Sequence, residues 1–106
     1  MTCLEDTFWF LLARNDAEDF TLMHAMVERQ SDRLRHPHAV IYNKKTGNIH
    51  EVSNRFRKNN VIIPFLLWAN IGNVSDIKQY TFEEYRELVL KNKMMSFFHL
   101  PQYCGL

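Results

Sequence analysis

The chain has 106 residues, 46% hydrophobic and 24% charged, which suits one packed domain spanning residues 1–106 and excludes intrinsic disorder. A net charge of +1 excludes the large basic excess of a dedicated duplex-binding protein, and three glycines exclude the usual glycine-rich phosphate loops. The longest apolar run, residues 61–69, contains Pro64 and is too short to span a bilayer, and no signal-peptide pattern opens the chain, so a cytoplasmic protein with no membrane partner is expected. In that reducing compartment its two cysteines, Cys3 and Cys104, would be free thiols; in an oxidising one they could bridge.

In chain order, residues 2–13 read as a helix. Thr2 is a good N-cap and Glu5 completes a capping box, while Leu4, Phe8, Leu11 and Leu12 form one apolar stripe that Trp9 and Phe10 widen. Asn15-Asp16 breaks it. The spacing of Phe20, Met23 and Val27 predicts a second helix over residues 17–30, capped by Asp16. A basic connector follows, in which Pro37 biases His36 toward an extended backbone.

Residues 38–54 read as a hairpin. Ala39, Ile41 and Asn43 alternate with Val40 and Tyr42, and Lys44-Lys45-Thr46-Gly47 is the turn, with Gly47 supplying a positive φ. If Asn43 pairs with Asn48, His38 faces Ser53 and Val40 faces Glu51. Residues 55–60 read as a polar turn. Residues 61–71 suit either a buried strand interrupted at Pro64 or a short core helix after it. Gly72-Asn73 marks a turn, residues 74–80 a last strand, and Thr81 with Glu84 a second capping box opening a helix to about residue 92. An apolar tail with Pro101 and Gly105 ends the chain.

Cys3 would be the first residue of the N-terminal helix. There the unpaired backbone N–H groups and the positive end of the helix dipole favour a thiolate, which is the nucleophilic form. A histidine on a strand, with a polar residue beside it on the next strand, supplies the base and its orienter for thiol-based acyl transfer. The backbone N–H of Cys3 is placed to help hold a tetrahedral oxyanion.

The order of these parts resembles the papain-like and transglutaminase-like cysteine enzymes. Residues 3–14 match the nucleophile helix, and His38-Ala-Val-Ile-Tyr42 with Thr46-Gly47-Asn48-Ile49 and Glu51-Val52-Ser53-Asn54 match the histidine hairpin, so the resemblance covers residues 2–54. It implies Cys3 as nucleophile, His38 as general base and acid, and a third member just after the second strand. Asn54 is the preferred third member, with Ser53 and Glu51 as alternatives. It implies hydrolysis of an amide or thioester in a peptide or protein substrate, with no cofactor. The fold expected is α+β: N-terminal helices packed on a small antiparallel sheet, with a C-terminal helix.

Other chemistries have weaker signals. Five histidines are present, but no Cys-x-x-Cys or His-Glu-x-x-His spacing, so no metal site is expected. A Gly-x-Ser-x-Gly hydrolase turn is missing. Arg35, Arg55, Arg57 and Lys58, with Phe56 among them, would lie at one end of the hairpin. They define the alternative reading, a non-catalytic module whose basic patch binds a protein or a nucleic acid.

Overall fold

The computed structural model describes residues 2–52 and 61–103. It is an α+β fold: three helices around a five-stranded antiparallel sheet. The elements run α1 (Cys3–Leu12), β1 (Phe20–Glu28), β2 (Arg35–Asn43), β3 (Asn48–Glu51), β4 (Val61–Pro64), α2 (Phe65–Ile71), β5 (Ser75–Tyr80) and α3 (Phe82–Asn92). Short 3₁₀ turns occupy Ala17–Asp19 and Pro101–Tyr103. The strand order is β4-β3-β2-β1-β5, so β1 and β2 sit inside the sheet and β5 closes beside β1. Among the described residues no helix is long and apolar enough to cross a membrane.

The second expected helix is instead the strand β1. Its residues Phe20 to Val27 are all buried, because helices or loops cover both faces of the sheet there. Phe20, Leu22, His24 and Met26 point to one face, and Met23, Ala25 and Val27 to the other. A strand buried on both sides is apolar throughout, so a subset of its residues imitates helical spacing. The covering rather than the pattern decides the outcome.

The first face packs under α1 and α3. Phe8, Leu11 and Tyr85 close over Phe20, Leu22, Ile41 and Tyr80, and Phe97 and Leu100 extend this layer over Met26 and Ala39. Each fully buried Leu or Ile in that layer is worth roughly 1.5–3 kcal/mol. Trp9 and Leu12 do not join it: both are about half exposed. The opposite face buries Met23, Ala25, Val27, Val40 and Ile49 against Trp68 of α2.

The β2–β3 hairpin has the expected register. Asn43 pairs with Asn48 and Ile41 with His50, and Gly47 sits at φ +76°. Asn43 Oδ1 accepts from the backbone N–H of Lys45 at 2.9 Å, which tightens the loop. In residues 61–71 both expected alternatives occur in succession. The strand β4 ends at Pro64, and Pro64, with φ −59°, opens α2 directly. The capping box of α3 forms as its sequence implies: Thr81 Oγ1 accepts from Glu84 N–H, and Glu84 Oε1 accepts from Thr81 N–H.

Candidate functional site

α1 starts where its capping residue sets it. Thr2 Oγ1 accepts from the Glu5 N–H at 3.3 Å, which makes Cys3 the first helical residue. Cys3 carries a free thiol and rests with Leu4 against the Met26, Ala39 and Phe97 cluster on the first face. His38 projects from β2 to the opposite face, across from Ala25. Helix start and histidine nevertheless line the same cleft, and Cys3 is near enough to help raise the His38 pKa. β3 ends at Glu51, opposite Val40, so among the described residues no strand flanks the outer side of residues 35–39 there.

Glu51 is the last residue of β3 and is buried. The hairpin register sets it across from Val40, so His38 is its diagonal neighbour on the same face, within reach of a long side chain. Its Oε2 lies 2.8 Å from His38 Nε2, and its Oε1 accepts a hydrogen bond from Trp68 Nε1–H at 3.0 Å. Burial by itself would push the imidazole toward its neutral form. The hydrogen bonds to Cys3 and Glu51, with the charges of the same two groups, outweigh burial and raise the His38 pKa to about 9. The ring is therefore an imidazolium at neutral pH.

These groups open onto one cleft of about 710 Å³, whose lining includes Cys3, His36, His38, Glu51, Ile63 and Trp68. Its size is that of a small-ligand or peptide side-chain site. The chain matches no family model, no curated protein and no solved structure. The geometry of this cleft therefore carries the functional reading.

Of the residues singled out from sequence, Cys3, His38 and Glu51 come together. Asn54, preferred as the third member, and Ser53 lie outside the described residues, as do Arg55, Arg57 and Lys58. Arg35 is committed within the fold: its guanidinium donates to the Asn73 carbonyl at 2.8 Å and to the Met26 carbonyl and Ser75 Oγ, tying β2 to the start of β5. Among the described residues no group of three His, Cys, Asp or Glu could hold a metal ion.

Two residues escaped the sequence reading. Trp68 reaches Glu51 from 17 positions away, and only the chain reversal at Pro64 brings it there. His24 on β1 is wholly buried among Tyr80, Tyr85 and Phe97, with ring centroids 5.0–5.3 Å away. Neither of its nitrogens has a hydrogen-bond partner among the described residues, and burial, reinforced by His99 and His38, lowers its pKa to about 3.

Proposed function

We propose that this chain is a cysteine-dependent acyl-transfer enzyme of the papain-like and transglutaminase-like kind, acting on an amide or thioester of a peptide or protein. The observation that supports this reading is the His38 ring, held by Glu51 at 2.8 Å and lining a single cleft together with Cys3. A nucleophile, a base and a residue that fixes the base's tautomer and orientation are the parts this chemistry requires.

The reacting form is a Cys3 thiolate beside a His38 imidazolium. The thiolate attacks the substrate carbonyl carbon, a C–S bond forms, and the carbonyl π pair moves onto oxygen. The backbone N–H of Cys3, at the start of α1, would be the donor that stabilises that oxyanion. As the tetrahedral species collapses, the bond to the leaving amine or thiol breaks and His38 gives the leaving group its proton. An acyl-thioester on Cys3 remains. Neutral His38 then takes a proton from water, the hydroxide adds to the thioester, and Cys3 leaves as thiolate with His38 again protonated. Glu51 holds the His38 ring throughout and balances the imidazolium charge.

The test is to incubate the protein with p-nitrophenyl acetate and map acetyl adducts by mass spectrometry. The reading expects rapid acetylation of Cys3, a burst of nitrophenolate, and loss of both in His38→Ala. Acetylation of Cys3 no faster than of Cys104, and unaffected by His38→Ala, would refute it.

A further inference from the structure

A glutamate reaching across a hairpin has three side-chain torsions, and one hydrogen bond to His38 leaves its carboxylate free to pivot. In this protein the pivot is blocked. Oε2 faces His38 Nε2 at 2.8 Å while Oε1 is held by Trp68 Nε1–H at 3.0 Å, in the buried wall of the cleft. We propose that Trp68 is a positioning residue: its indole N–H fixes the plane of the Glu51 carboxylate, and through it the orientation of the His38 ring toward Cys3. The proposal rests on the reading of Cys3 and His38 as the reacting pair.

The build of α2 supports it. Trp68 is the helix's buried residue, whereas Leu66, Leu67 and Ile71 are largely exposed. Phe65 and Ala69 are partly buried against the same cluster, and Trp68 is the α2 side chain that carries a polar group into it. A ring placed only for packing would be served as well by phenylalanine; a buried indole N–H has to find an acceptor, and here the acceptor is the carboxylate that holds the base. Removing the donor leaves a buried, charged oxygen with a partner fewer, and such an oxygen turns toward any other donor within reach. Glu28 and Arg29 line the same cleft as His38, and other charged or titratable groups stand nearer to the ring among the described residues. Cys3 faces it from α1 and Glu51 from β3, His36 stands 6.1 Å away on β2 itself, and His24 lies beneath on the other face of the sheet.

Trp68→Phe keeps the ring and deletes the donor. The experiment follows His38 by NMR titration and the iodoacetamide labelling rate of Cys3 against pH, in the native protein, Trp68→Phe, Glu51→Gln and the double variant. The expected result is a fall of about one unit in the His38 pKa in Trp68→Phe, a matching shift in the labelling profile, and no further change when Trp68→Phe is added to Glu51→Gln. An unchanged titration in folded Trp68→Phe, or an equal shift in both backgrounds, would show that Trp68 only fills space. Should Trp68→Phe fail to fold, the native indole N–H resonance decides instead: it should move as His38 titrates, and a resonance blind to that titration overturns the proposal. Labelling of Cys3 indifferent to His38→Ala would remove the reacting pair while leaving the Trp68–Glu51–His38 coupling measurable by NMR.

Discussion

Two histidines sit on adjacent central strands, and the sheet between them separates opposite fates. His24 pairs with Ala39 across the β1–β2 register, and the next pair along is Ala25 with His38. One step of register puts His24 on the face sealed by α1, α3 and the Phe97 segment, and His38 on the face that opens into the cleft. His24 is buried among aromatic rings, and burial, with the charges of His99 and His38 adding to it, holds it neutral, with a pKa near 3. His38 meets a thiol and a carboxylate, so it is held charged, with a pKa near 9. Burial disfavours the charged form of both rings; the partners decide which of them keeps its charge.

The sharpest way to break this contrast is acid. Because the folded-state pKa of His24 is depressed, its contribution to stability is whole above the unfolded value of about 6.5 and is lost as pH falls toward 3. A shift of that size corresponds to roughly 5 kcal/mol. His24→Leu is expected to abolish that part of the acid sensitivity and to leave stability at pH 7 equal or higher, as read from urea melts at pH 4 and 7. Melts showing the same pH 4 loss in the variant would count against the sealed-face account.

The complementary variant attacks the open face. His38→Ala should slow acylation of Cys3 by about 100-fold or more, whereas His24→Leu leaves the rate within a small factor of the native value. Stopped-flow acylation of the two variants side by side separates the faces. Equal slowing in both would mean that the sheet does not insulate them.

The alkaline limb sharpens the comparison further. A raised folded-state pKa gives stability that is fully present below about 6.5 and lost as pH climbs through 9. The native protein should therefore weaken between pH 7 and 10 by roughly 2–3 kcal/mol more than His38→Ala does. Melts at those two pH values read the difference directly.

The smallest expected effect lies at the hairpin turn that sets the Glu51 register. An added Cβ at Gly47 meets nothing within 4 Å, but φ +76° is strained for any L side chain. Gly47→Ala should cost about 1 kcal/mol, with the His24 resonance unmoved.

Much of this arrangement was legible in the chain itself. The helix start at Cys3, the hairpin with Asn43 against Asn48, and the capped α3 all follow from local rules that hold over four or five residues. β1 was misread because Phe20, Met23 and Val27 satisfy helical spacing, and nothing local reveals that both faces of a strand will be covered. Directly opposed pairing points from His38 to Ser53, which with Asn54 lies outside the described residues; Glu51, the other candidate, bonds His38 because a diagonal neighbour with a long side chain is within reach. Trp68 was invisible for a different reason. Its partner lies far away in sequence, and only the assembled sheet brings the two together.

The slender attachment of α2 has a last consequence. A seven-residue helix with one fully buried residue, and with Phe65 and Ala69 only partly buried, is held less firmly than the central strands, so its amides should exchange with solvent through a local opening cheaper than melting the sheet. Each such opening withdraws the indole, so the Trp68–Glu51 contact would come apart many times over while the strands beneath it stay paired.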